Sequence, residues 1–252
     1  MGAEDRVGRE QDFWGHHIPS ARECVAEFHA GPDANTEAML RAIEPVRGAR
    51  VLDFACGTGV VSAWLASRGA EVVGLDPSPD AVGVAEEVCT TLSLPVTFVI
   101  QTIEEATDLG EFDAVVGRYA LHHTDVAATG AELAQHLRPG GKAAFVETFA
   151  TNPLLRLGRR HLIGRAGIPR LGTLDERPLG PDDVEALGTA FGQARSVVAE
   201  MRFLRIFDRQ VLRYRLAWAS AVCRFVDDAI LRIPGSTSLS YHQVVVLERI
   251  AQ

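Results

Sequence analysis

The sequence predicts an open α/β sheet with most of its strands parallel, and three observations carry that prediction. Short β-branched runs alternate with amphipathic stretches over the first half of the chain, the pattern of strand–helix–strand units. A glycine-rich turn, CGTG at 56–59, joins the first run to the first of these helices, and the second run ends in an acid, Asp76. The 252 residues are 47% hydrophobic and 23% charged, which suits one large globular domain and excludes disordered, collagen-like and coiled-coil chains.

The elements follow in order. VLDFA (51–55) reads as the first strand, with a helix over 60–67 behind it. EVVGLD (71–76), a helix over 79–92 and VTFVIQ (96–101) come next, then FDAVVGR (112–118), a helix near 126–137 and KAAFVE (142–147). In the second half, 181–191 reads as a helix because Asp182, Asp183 and Glu185 complement its amino-terminal dipole. A strand is expected near 196–203, one long or two shorter helices over 206–233, and a final strand at 241–249. Ahead of the sheet, helical patterns run over 19–29 and 36–43, placed to cover the crevice at the carboxyl ends of the strands. The division expected is one domain over 1–252: a helical lid (1–48), a ligand-binding core (49–150) and substrate-side insertions with the last two strands (151–252).

Charge and cysteine usage exclude several partner classes. A net charge of −8 argues against a general nucleic-acid binder, whose affinity depends on clustered positive charge. Cys24, Cys56, Cys89 and Cys223 show no metal-ligand spacing, so plain thiols and no structural metal are expected. The amino-terminal residues are charged where a signal peptide is apolar, and no uncharged run reaches the ~18 residues of a membrane span. A cytoplasmic protein is expected.

The strand, turn and helix around VLDFACGTG (51–59) make the strongest local signal, because Gly57 and Gly59 let a ligand approach the backbone closely. Asp76, seventeen residues beyond Gly59, stands where an acid accepts hydrogen bonds from ribose hydroxyls. The dinucleotide fingerprint G-x-G-x-x-G fails at its last position, which is Ser62. The segment instead resembles the first motif of the class I S-adenosylmethionine-dependent methyltransferases, small-molecule type. VVGLDPSPDAV (72–82), VTFVIQTIEEA (96–106), FDAVVGRYALHH (112–123) and LRPGGKAAFVE (137–147) are similar to that family's later motifs, in the same order. The resemblance implies a Rossmann-like doubly wound sheet of about seven strands, mostly parallel with an antiparallel final strand, plus a helical lid and insertions.

Carried over to this chain, the resemblance implies S-adenosyl-L-methionine as cofactor. Asp53, Ala55, Gly57 and Gly59 would hold its methionine moiety, with Ala55 standing where the family has glycine. Asp76 would hold the ribose, Pro77 would flank the adenine, and Thr102, with Ile103 after it, stands where the family places an acid beside the adenine amine. Arg118 at the fourth strand's end counts with the cofactor side. In DFWGHH (12–17), Trp14 and His17 would close the cofactor pocket, or Trp14 would anchor the lid.

Methyl transfer from a sulfonium is an in-line displacement, so alignment comes first and a base is needed only for a protonated acceptor. Four residues at the fourth and fifth strand ends are candidates for that work: Tyr119, His122, His123 and Glu147. Each histidine equally suits capping or packing under the next helix, and Glu147 equally suits pairing with a loop arginine. Specificity is expected in 148–180 and 204–235. Phe207, Tyr214, Trp218 and Phe225 would form an apolar wall, joined by Arg156, Arg159, Arg160, Arg165 and Arg170. Such a wall suits a small acceptor, aromatic or polyketide-like and able to bear a carboxylate, in bacterial-type specialised metabolism. The same helix also suits a homodimer face, and the arginines suit pairing with Asp175, Glu176 or Asp227. Oxygen, nitrogen and carbon acceptors are not distinguished, and a non-methylating protein using the cofactor as a structural or electrostatic element is the second reading.

Overall fold

The computed structural model describes residues 18–161 and 177–250. Its centre is a seven-stranded sheet made of β1 (Arg50–Phe54), β2 (Glu71–Leu75), β3 (Val96–Val99), β4 (Phe112–Arg118), β5 (Leu137–Thr148), β6 (Gly192–Val197) and β7 (His242–Arg249). The spatial order is β3-β2-β1-β4-β5-β7-β6. The pairs among the first five strands are parallel, and β7 runs antiparallel to both β5 and β6. The order reverses between β1 and β4, so the crevice for a ligand opens above their carboxyl ends.

Both faces of the central strands are buried, and the side chains divide between them with period two. Leu52, Phe54, Val73, Leu75, Val115, Phe145, Val245 and Leu247 point to one face, and Val51, Val72, Val116, Ala144, Val146 and Val244 to the other. Helices α5 (Val126–Gln135) and, beyond α6 (Pro153–His161) in the chain, α7 (Pro181–Phe191) cover the first face through Leu133, Leu187 and Phe191. Helices α1 (Ala21–Ala30), α2 (Ala34–Ala42), α3 (Val60–Ser67) and α4 (Pro79–Thr91) cover the second. Met39 and Leu40 of α2 are fully buried, so this helix is a layer of the fold itself. Each such aliphatic chain contributes about 1.5–3 kcal/mol by leaving water.

Several boundaries differ from the sequence reading. The strand expected near 196–203 lies at 192–197, because Gly192, at φ 108°, turns the chain from α7 directly into β6. Residues beyond it leave the sheet, and Asn35 Oδ1 accepts from the backbone N–H of Ala199 and Glu200. Strand β5 begins at Leu137 and passes through a register irregularity before the apolar run at 142–147. The stretch over 206–233 is α8 (Leu204–Phe207), a π-turn over 208–212, and α9 (Ala217–Leu231). Asp227, expected to pair with arginines, is fully buried and accepts from the backbone N–H of Phe203, Leu204 and Arg205, tying α9 to the start of α8. The four cysteines are free and buried. Among the described residues no helix is long and apolar enough to cross a membrane.

Candidate active site

The turn after β1 builds one half of the site. Ala55, Gly57 and Gly59 all take positive φ, at 51°, 51° and 72°. A side chain on Gly57 would meet no atom within 4 Å, so the space beside it is open, whereas one on Gly59 would lie 2.8 Å from the Cβ of Ala85. Gly59 therefore lets α4 pack against the turn, and Gly57 leaves room for a ligand. Ala55 accepts a strained backbone at a position that glycine takes without cost.

Two acids stand under this turn. Asp76, at the end of β2, accepts from the backbone N–H of Gly57 and of Ser78, each at 2.9 Å through a different oxygen. Each oxygen keeps a further lone pair for a ligand hydroxyl. Burial raises its pKa against those two bonds. Asp53 accepts from the hydroxyl of Ser62 at 2.6 Å, and burial pushes its pKa up to about 7. The donor set, the open space at Gly57 and the acids at two strand ends fit an adenosine-type ligand carrying a cationic amino-acid tail. Pro77 is half-buried beside Asp76. Thr102 donates its backbone N–H to Glu105 Oε2, and Ile103 is buried in the core with Leu75 and Leu109. Arg118 bonds Glu27 of α1 at 2.8 Å and lies 5.6 Å over the Trp64 ring, which latches α1 to the crevice edge. Trp14 and His17 lie outside the described residues.

The other half is the turn after β4. Glu147, fully buried on β5, accepts from the N–H of Ala120 at 2.8 Å and of Leu121 at 2.7 Å through one oxygen. Its other oxygen lies 2.7 Å from His122 Nδ1. The partners of Glu147 are thus His122 and the 120–121 backbone, where a loop arginine was the alternative expected. The carboxylate fixes the imidazole by Nδ1 and leaves Nε2 as the nitrogen able to act on a ligand. His123 stacks on His122 with centroids 4.1 Å apart. Neither histidine caps α5, since Asp125 accepts from Ala128 N–H there.

Tyr119, at φ 59°, points along the same edge, and its hydroxyl lies 3.3 Å from His242 Nδ1. Burial pushes the phenol up to about 12, so it remains protonated. Burial, with the Arg202 charge, brings His242 down to about 3, so its imidazole is neutral. His242 had no signal of its own in the sequence. It starts β7, and because β7 is antiparallel and pairs His242 with Thr148, that start lies at the edge where β5 ends. Beside it opens a cleft of about 230 Å³, lined by Arg202, Arg205, Asp208, Arg209, Arg224 and Tyr214 among others. Of the expected apolar wall only Tyr214 lines this cleft. Phe207, Trp218 and Phe225 are exposed, because the buried side of α9 carries Ala219, Ser220, Cys223 and Asp227. Arg156 is exposed, and the other arginines of 153–170, with Asp175 and Glu176, lie outside the residues whose side chains are described.

Comparison with known proteins places these features in a family. A family model described as a methyltransferase domain matches residues 51–141. A ubiquinone biosynthesis O-methyltransferase of Methylobacterium sp. (strain 4-46) is 34% identical over 165 residues, 62% of this chain and 65% of that protein. A protein of the same name from Azorhizobium caulinodans is 30% identical over 180 residues, 69% and 68% of the two chains. The chain spans about half to two thirds of the length of the curated relatives it matches. Among solved structures, magnesium protoporphyrin IX methyltransferase from Synechocystis PCC 6803 with bound S-adenosylmethionine aligns over 99% of both chains at 15% identity and a TM-score of 0.58. Geranyl diphosphate C-methyltransferase from Streptomyces coelicolor A3(2) aligns over 91% of this chain and 83% of its own at 12% identity and a TM-score of 0.61. At these identities the likeness is one of fold.

Proposed function

Because the chain belongs to the class I S-adenosylmethionine-dependent methyltransferases, we propose that it transfers the cofactor's methyl group to a hydroxyl of a small aromatic acceptor. The observation that carries the reading is the buried Glu147–His122 pair at the rim of the crevice. The choice of oxygen is supported by the curated relatives, which are named O-methyltransferases. The segments that line the cleft lie beyond the methyltransferase domain matched at 51–141, so that match does not define the acceptor, which we place in specialised metabolism.

Bound S-adenosylmethionine supplies an electrophilic methyl on a sulfonium. Asp76 would hold its ribose, the 55–57 backbone and Asp53 its methionine end, and Pro77 with Ile103 and Thr102 the adenine side. Holding the acceptor oxygen and the methyl carbon at about 3 Å on one axis supplies most of the acceleration. His122 Nε2 would take the hydroxyl proton as the oxygen–methyl bond forms and the sulfonium–methyl bond breaks to leave a neutral thioether, and Glu147 would stabilise the resulting imidazolium while fixing the ring. Tyr119, a phenol at working pH, aligns the acceptor by hydrogen bonding and does not remove the proton. His123 supports the ring of His122 by stacking.

Turnover of S-[methyl-¹⁴C]adenosylmethionine with catechol-type acceptors tests the reading. The expected result is label on a phenolic oxygen, lost with His122→Ala. Cofactor binding without transfer to any acceptor would instead favour a non-methylating protein on this fold.

A further inference from the structure

The cleft beside His242 is lined mostly by charged residues, and its charges are not all paired within the described residues. Arg202 pairs with Asp33 and Glu200, each at 2.8 Å. Arg205 pairs with Glu200 and, at 2.8 Å, with Asp228. Arg209 and Arg224 also line the cleft, both are exposed, and neither forms an ion pair among the described residues. Opposite in sign, Asp208 lines the same cleft while only 2% exposed, and its Oδ1 has no hydrogen-bond partner among the described residues. A buried carboxylate oxygen without a donor is costly, whereas the two exposed guanidiniums are solvated and free to take up an anion. One molecule with a hydroxyl at one end and an anionic group at the other would supply the missing donor to Asp208 and pair with the two guanidiniums. The volume of about 230 Å³ falls below the range of about 300–1,000 Å³ usual for drug-sized ligands, so that molecule is small.

We propose that the cleft formed by Asp208, Arg209, Arg224 and His242 is the acceptor subsite, and that it selects a small hydroxylated aromatic carboxylate. The guanidiniums of Arg209 and Arg224 receive the carboxylate, a geometry for which the planar fork of arginine is suited. Asp208 Oδ1 accepts from a hydroxyl of the same molecule. The Tyr119–His242 contact places this subsite against the turn that holds His122, so a second hydroxyl reaches the crevice. The inference rests on the methyl-transfer reading above and adds the charge of the acceptor to it.

Calorimetry on the full chain saturated with S-adenosylhomocysteine tests it, with 3,4-dihydroxybenzoate and catechol as probes. The two differ by the carboxylate, and the expected result is at least tenfold tighter binding of the benzoate. In Arg209→Gln/Arg224→Gln that preference should fall to about one while catechol affinity and melting temperature stay unchanged. The double lysine variant, which keeps the charges and loses the planar fork, should show a preference between those of the parent and the glutamine variant. Asp208→Asn should weaken both probes by at least fivefold. Equal affinity of the probes, binding of neither, or a preference surviving in the glutamine variant would overturn the subsite with the methyltransferase reading intact. Failure of S-adenosylhomocysteine itself to bind would overturn both.

Discussion

Glu147 and His122 touch each other but answer to different free energies, and substitution separates them. Glu147 satisfies two backbone donors and one imidazole in a fully buried position, and each donor left without its partner costs about 1–3 kcal/mol. Glu147→Ala should therefore lower both the melting temperature and turnover. His122→Ala removes the proposed proton acceptor and leaves one buried Glu147 oxygen without its donor, so it should cost 10²- to 10⁴-fold in kcat and about 1–3 kcal/mol of stability, less than Glu147→Ala, which strips three donors of their acceptor. Steady-state kinetics beside thermal melts reads both, and equal losses of stability in the two variants would reduce His122 to a packing residue. Asp53 makes a second prediction through its proton. Burial places its folded pKa at about 7, above the unfolded value of about 3.9, so between those values the folded state holds a proton that the unfolded state has lost. Stability from this group therefore falls as pH rises from about 4 to about 7. Asp53→Asn keeps an acceptor for Ser62 and removes the titration. Its stability relative to the parent should be greater at pH 8 than at pH 5 in denaturant melts.

The 55–59 turn is an element whose three positive-φ residues have separate duties, and variants should separate them. Gly57→Val adds a side chain into open space at φ 51°, so it should abolish S-adenosylhomocysteine binding and lower stability only by the strain of about 1–2 kcal/mol. Ala55→Gly relieves the same kind of strain, and a melting temperature equal to or above the parent's is expected, where an ordinary Ala→Gly change costs about 0.5–1 kcal/mol. Paired α8 and α9 form a second such element. Asp227→Ala strips three backbone N–H groups of their acceptor and should unfasten 203–205 from α9, with a loss of at least about 2 kcal/mol by chemical denaturation. These placements were partly legible beforehand. The strand–turn–helix at 51–67 and Asp76 could be read because the chemistry lies within one stretch of chain. The position of β6 could not, because GQARSV is an edge strand with little apolar alternation and its register is set by β7.

For the whole molecule, cofactor binding and folding are linked by mass action. S-adenosylhomocysteine at 100 times its Kd should add about 2.7 kcal/mol, which for a chain of this size is a rise of roughly 5–10 °C in melting temperature. Differential scanning calorimetry should show that rise in the parent and none in Gly57→Val. The sequence by itself determined the parallel core and the glycine-rich turn after its first strand, since each depends on local periodicity or on residues adjacent in the chain. Only the tertiary structure assembled the cleft beside His242. Tyr119 meets His242 across 123 residues because an antiparallel last strand begins where the parallel ones end. Asp208, Arg209 and Arg224 share a cleft because Asp227 folds α8 back on α9, and Trp218 and Phe225 face outward because the buried side of α9 is made of small residues. A one-dimensional pattern fixes which face of an element is apolar, but which elements meet there is settled by packing between segments far apart in the chain.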